Sequence, residues 1–136
     1  MINQIFVNLP VMDLNRTIDF FTKLGFTFNP QFTNENATCM IIGENIFAML
    51  LVEKFFNTFT KKQISDATKN AEVIVALSVD SRERVDDIIR KAMDAGASAS
   101  TDKQDHGWMY SNGFQDLDGH LWEVFYMDEN AIPPQP

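Results

Sequence analysis

From Ile5 to Val11 aliphatic and mixed positions alternate: Ile5, Val7, Leu9 and Val11 are aliphatic, and Phe6, Asn8 and Pro10 stand between them. Strand side chains point alternately to two faces, so the segment predicts a strand with one uniformly aliphatic face. Asp13 follows where a helix N-cap belongs. Leu14, Ile18, Phe21 and Leu24 then fall on one helical face, and Gly25 supplies the stop.

The pattern returns in the second half. Val73, Val75, Leu77 and Val79 make an aliphatic face with Ile74, Ala76 and Ser78 opposite, and Asp80 with Glu83 resembles a capping box. Val85, Ile88, Ile89 and Ala92 supply the helical stripe, and Gly96 closes it. Val11 and Val79 are 68 residues apart and Gly25 and Gly96 are 71 apart, each close to half of the 136 residues. A period that divides the chain in two points to duplication.

Three further strands are predicted after each helix. In the first half they are Phe26 to Phe32, Ala37 to Ile42 and Ile46 to Val52, with a turn at Gly43-Glu44-Asn45. In the second half a weak strand lies near Ala97 to Thr101. Trp108 to Gln115 and His120 to Met127 are joined by Asp116-Leu117-Asp118-Gly119, which has hairpin-turn chemistry. The expected organisation is a single domain over 1–136. It comprises a βαβββ module at 1–53, a polar linker at 54–70, a second module at 71–128 and a fraying tail at 129–136.

Length and composition suit this α+β reading. One domain is expected at this size, and 45% hydrophobic residues exclude a disordered chain. The net charge of −8 disfavours phosphate backbones and anionic lipid, so neither nucleic acid nor a membrane is an expected partner. Cys39 is the lone cysteine, so no intrachain disulfide can form. Met1 to Asn8 lacks the pattern of a secretory signal and no window is apolar enough to span a bilayer, so a soluble cytoplasmic protein is expected.

An amphipathic helix buries its stripe, and the aliphatic faces of the two first strands are its natural receivers. The mixed faces then fall on the far side of the sheets. Were the halves to pair about a pseudo-twofold axis, Phe6, Asn8, Ile74, Ala76 and Ser78 would line one mostly apolar cavity suited to an organic small molecule.

At this point the chain resembles the vicinal oxygen chelate superfamily, also called the glyoxalase/bleomycin-resistance/dioxygenase superfamily. The resemblance is carried by Val11-Met12-Asp13 before a helix with Phe20-Phe21-Thr22-Lys23-Leu24-Gly25-Phe26, and by Asp116-Leu117-Asp118-Gly119-His120-Leu121-Trp122-Glu123-Val124. It implies paired βαβββ modules, usually in a homodimer, and in the family's enzymes a divalent metal held by one residue from each of four strands. By position those residues are Phe6, Leu50, Ile74 and Glu123, with Phe6 to Ile74 spaced by 68 and Leu50 to Glu123 by 73. Three of the four side chains are apolar and cannot coordinate, whereas such a site needs about three protein ligands. No cofactor is therefore expected, and a divalent metal only with non-standard ligands.

Glu123, set in an apolar wall, is the candidate catalytic residue, as general base or as a cation's partner. Asn8 and Ser78 are the polar candidates beside it, and Trp108, Tyr110, Trp122 and Tyr126 alternate so that they could stack on a planar ligand or simply pack the sheet. The expected ligand-binding set is Phe6, Asn8, Leu50, Ile74, Ser78, Trp108, Tyr110 and Glu123. His120, of opposite parity to Glu123, should face away, while a metal trio of His106, Asp105 and Glu123 lacks a regular spacing. Cys39 reads as a buried inert thiol. Phe55, Phe56 and Phe59 read as a lid or a dimer contact. The expected function is binding of a small apolar or aromatic molecule. The alternatives are a metal-dependent lyase resembling lactoylglutathione lyase, a dioxygenase-like enzyme, or a resistance protein that sequesters a drug unchanged.

Overall fold

A computed structural model describes residues 1–136. The protein is α+β, with two mixed sheets in two compact units, Met1–Asp66 and Ala67–Pro136. No helix is long and apolar enough to cross a membrane.

In the first unit β1 (Ile5–Val11) leads through α1 (Leu14–Lys23) to β2 (Thr27–Asn29), β3 (Ala37–Gly43) and β4 (Ile46–Val52). The sheet order is β1-β4-β3-β2, with β1 and β4 parallel and the remaining pairs antiparallel. The second strand is shorter than the pattern suggests. Pro30 lacks the amide hydrogen a ladder needs, and Pro30–Phe32 forms a 3-10 turn capped by Asn29. A short helix, α2 (Glu53–Phe56), opens the linker stretch.

The second unit repeats this plan: β5 (Ile74–Ser78), α3 (Arg82–Asp94), β6 (Ser98–Ala99), β7 (Gln104–Asp105), β8 (Met109–Gln115) and β9 (Leu121–Met127). Its order is β5-β9-β8-β6, again with a parallel first pair, and β7 adds to β8. The expected strand at Ala97 to Thr101 is reduced to the two residues of β6.

Both helices follow their boundary signals. The Asp13 carboxylate accepts the Arg16 N–H at 3.1 Å. Ser81 caps α3, not Asp80, and its hydroxyl accepts the Arg84 N–H at 3.1 Å, so the predicted Asp80–Glu83 box starts one residue early. At the other ends the two helices close alike. Gly25 donates to Thr22 O and Phe26 to Phe21 O, while Gly96 donates to Met93 O and Ala97 to Ala92 O.

Each helix covers one face of its own sheet. α1 packs on β3 and β4, and α3 on β8 and β9, and the aliphatic side of β1 is buried on the same side as α1 through Leu9 and Val11. Leu9, Val11, Ala48, Leu50, Phe20 and Phe21 are buried in the first unit, and Val85, Ile88, Phe114, Trp122 and Val124 in the second. Neither α1 nor α3 covers the opposite sheet faces; in the first unit the short α2 lies against β1 and β4.

Candidate functional site

Strand register decides which side chains reach the helix-free faces, because residues directly opposite one another in a sheet share a face. In the first unit Phe6 pairs with Phe47, Asn8 with Met49, and Cys39 with Met49. Phe6 and Phe47 stack with ring centroids 4.7 Å apart. Phe6 is 46% exposed and Asn8 is also exposed. Leu50 does not belong here. It pairs with Leu9, is fully buried and lies on the helix side, which corrects its expected placement. The residue that stands to Asn8 as Glu123 stands to Ala76 is Met49, equally unable to coordinate a hard cation. Cys39 is buried, and burial pushes its thiol pKa up, so it stays protonated.

In the second unit the helix-free face is built by Ile74, Ala76 and Ser78 on β5, Leu121, Glu123 and Phe125 on β9, and Ser111, Gly113 and Gln115 on β8. Glu123 stands in the middle row, with Ala76 on one side and Gly113 on the other. Its carboxylate is half-buried and takes no hydrogen bond or ion pair from any residue of the chain. Gly113 is fixed by a close approach: a Cβ there would stand 2.6 Å from Ser100 Oγ and 2.9 Å from Trp122 O. The Ser100 hydroxyl thus fills the notch beside Glu123, and the freer side is that of Ala76. No lysine, arginine or histidine lies among these face residues.

Tyr110 is a second correction. It pairs with Tyr126 and sits on the α3 side with Phe114 and Trp122, where its hydroxyl donates to Asp86 Oδ1 at 2.6 Å. That bond raises the phenol's pKa. Trp108 precedes β8 at a bend and is half-buried, outside the paired strand rows. Tyr110 thus ties the sheet to the helix.

The trio of His106, Asp105 and Glu123 is not assembled. Asp105 pairs with Tyr110 on the helix side, and Arg82 grips it with two bonds of 2.8 and 3.0 Å. The guanidinium, together with the Gly107 N–H, lowers the Asp105 pKa to about 2. His106 Nε2 lies 3.1 Å from Gln104 Oε1 in an exposed position. Beside this clamp, at the start of α3, is an open hollow of about 310 Å³ lined by Asp80, Ser81, Arg82, Glu83, Gly107, Tyr126 and Asp128.

The Asp116–Gly119 turn is a structural device. Asp116 Oδ1 accepts the N–H groups of Asp118 and His120 at 2.9 and 3.0 Å, and Oδ2 accepts Trp122 Nε1–H at 2.9 Å. Burial nonetheless raises its pKa above the usual carboxylate value, against the pull of His120 and these donors. His120 therefore belongs to the turn, as its parity suggested, and not to the Glu123 face. Phe55 and Phe59 make an edge-on pair at 5.1 Å, with Phe59 61% exposed.

Comparison with known proteins gives one family. The profile of the Glyoxalase/Bleomycin resistance protein/Dioxygenase superfamily matches residues 2–124. No curated protein matches the chain. Among solved structures, a hypothetical protein from S. aureus is 29% identical with a TM-score of 0.78, the match covering 93% of this chain and 95% of that one. A glyoxalase/bleomycin resistance protein/dioxygenase family enzyme from Burkholderia phytofirmans PsJN is 15% identical, with a TM-score of 0.76 and coverages of 90% and 96%. A genomically encoded fosfomycin resistance protein from Listeria monocytogenes is 18% identical, with a TM-score of 0.68 and coverages of 99% and 97%.

Proposed function

The chain belongs to the Glyoxalase/Bleomycin resistance protein/Dioxygenase superfamily, and from that premise we propose that it binds a small apolar or aromatic molecule on its helix-free sheet surface without a catalytic metal. The observation that carries this reading is the chemistry of the four positions where the family's enzymes hold their ion. Phe6, Met49 (in place of the Leu50 first expected) and Ile74 offer hydrocarbon, and Glu123 alone offers oxygen. One carboxylate falls short of the about three protein ligands that a tightly held divalent ion needs.

Ile74, Ser78 and Glu123 remain ligand-binding candidates on the sheet of the second unit, and Phe6 and Asn8 on the sheet of the first. Leu50 and Tyr110 leave the set because they are buried on the helix side, and Trp108 stays a candidate at the start of β8. Apolar walls with a few polar groups suit an organic ligand, and this reading keeps the homodimer and the cytoplasmic setting that the family resemblance and the composition suggest. Glu123 is the one side chain able to act as a base toward such a molecule.

Elemental analysis of dialysed protein, run beside a thermal-shift screen of neutral aromatic compounds, tests the proposal. The expected result is no stoichiometric divalent ion and a saturable shift, amounting to about 2.7 kcal/mol of stabilisation at a hundredfold excess over Kd. The shift disappears in Ile74→Lys, a change at a residue 57% exposed that the fold tolerates. About one retained ion per chain, with lyase activity on a glutathione hemithioacetal that vanishes with chelator, overturns the proposal in favour of the metal-dependent alternative.

A further inference from the structure

We propose that the ligand carries a cationic nitrogen, an ammonium or amidinium group, seated on the Glu123 carboxylate. This deepens the small-molecule reading and rests on it. Glu123 stands half out of water, and no donor of the chain reaches it. A carboxylate removed from solvent is costly unless a donor or a positive charge replaces the lost hydration. Elsewhere the same chain supplies those partners. Asp105 has Arg82, and buried Asp116 has three N–H donors. At Glu123 the replacement is left to something that is not part of the chain.

The surroundings select the kind of partner. The basic side chain that shares this face, His106 beyond β7, turns to Gln104 at 3.1 Å and not to Glu123, and the carboxylate repels an anion. A transition metal would find one oxygen anion and only serine hydroxyls near it, too few and too weak as donors. An organic cation suits the same geometry. Its charged head meets the carboxylate beside Ala76, whose single methyl leaves room. Its apolar body then lies along Leu121, Phe125 and Ile74. Charge-assisted hydrogen bonds of this kind are roughly twice as strong as neutral ones.

The test uses three matched probes, 2-phenylethylamine, 2-phenylethanol and 3-phenylpropionate, titrated calorimetrically into the full chain and into Glu123→Gln. Circular dichroism melting establishes that the variant is folded. The expected result is an amine bound about tenfold more tightly than the alcohol, a carboxylate probe that does not bind, and an amine preference that vanishes in Glu123→Gln. Equal affinity for amine and alcohol overturns the cation seat while leaving aromatic binding intact, and so does a preference that survives in the variant. Failure of all three probes overturns both readings. Stoichiometric nickel or zinc binding that is lost in Glu123→Gln also overturns both, since it makes the carboxylate a metal ligand.

Discussion

Replacing Asp116 with alanine separates architecture from chemistry in the segment that carries the family resemblance. Its carboxylate receives three N–H groups, and the environment of each sets the cost of losing it. Trp122 is 1% exposed, so its orphaned indole N–H finds no water, a penalty of about 1–3 kcal/mol. The N–H groups of Asp118 and His120 belong to half-buried residues and are partly rehydrated, at about 0.5–1 kcal/mol each. Against this, alanine removes a carboxylate whose burial raises its pKa, which returns part of the loss. The net expectation is a destabilisation of about 2–3 kcal/mol, or about 10 °C in Tm for a chain of this size. Urea unfolding followed by tryptophan fluorescence should show a lowered midpoint at unchanged slope. Trp122→Phe removes the same N–H, so the double variant should recover about 1–2 kcal/mol relative to the sum of the single changes. Ligand affinity of the folded variant should not move. A cost below about 1 kcal/mol, or strict additivity with Trp122→Phe, refutes the assignment of Asp116 as the anchor of the turn.

Three further outcomes follow from the same geometry. Asp105 has a folded pKa depressed to about 2 by Arg82. Its contribution is therefore fully present above the unfolded value of about 3.9 and is lost as pH falls toward 2; Asp105→Asn should flatten the acid limb of a stability-against-pH curve over that interval, and added salt should weaken the wild-type slope. Gly119 adopts φ +89°, and a Cβ there would stand 2.8 Å from the backbone of Ala67 and Thr68. Gly119→Ala therefore forces a backbone shift as well as a left-handed residue, and calorimetry should report a loss of about 3 kcal/mol or more. Glu123→Gln breaks no bond within the chain, so its unfolding midpoint should stay within about 0.5 kcal/mol of wild type; a large loss would mean that the carboxylate serves the fold.

The fold was legible because its signals are local and occur twice. A capped helix start, a helical stripe and a terminating glycine need no knowledge of the rest of the chain, and two copies half a chain apart support each other. Boundaries were less legible where a single atom decides them. Pro30 ends β2 by lacking an N–H, and the choice of Ser81 over Asp80 as cap depends on which side chain turns back onto the Arg84 amide. The 104–105 strand is held by the grip of Arg82 on Asp105, a contact 23 residues long in sequence that no periodicity encodes.

The site was legible only where alternation carries information. On β9 one face buries Trp122 and Val124, and on β5 the aliphatic Val75 and Leu77 are half-buried opposite a mixed, exposed face, so the side that Ile74, Ser78 and Glu123 take follows from parity. β4 reads Ile-Phe-Ala-Met-Leu-Leu-Val, apolar on both faces, and nothing in it distinguishes Leu50 from Met49; only pairing with β1 does. Tyr110 differs, because its side was within reach of the sequence. Closing the hairpin at Asp116–Gly119 sets Gln115 against Leu121, which carries Tyr110 to Tyr126 and so to the side opposite Glu123. The segment Asp116 to Glu123 thus divides by physical role. Asp116, Gly119 and Trp122 make the turn and anchor it in the core, while Leu121 and Glu123 project from the helix-free face. A family signature of this kind marks the scaffold through its first residues and leaves the chemistry to its last. A chain can therefore keep such a signature whatever its strand positions offer a ligand, because one scaffold hosts many chemistries.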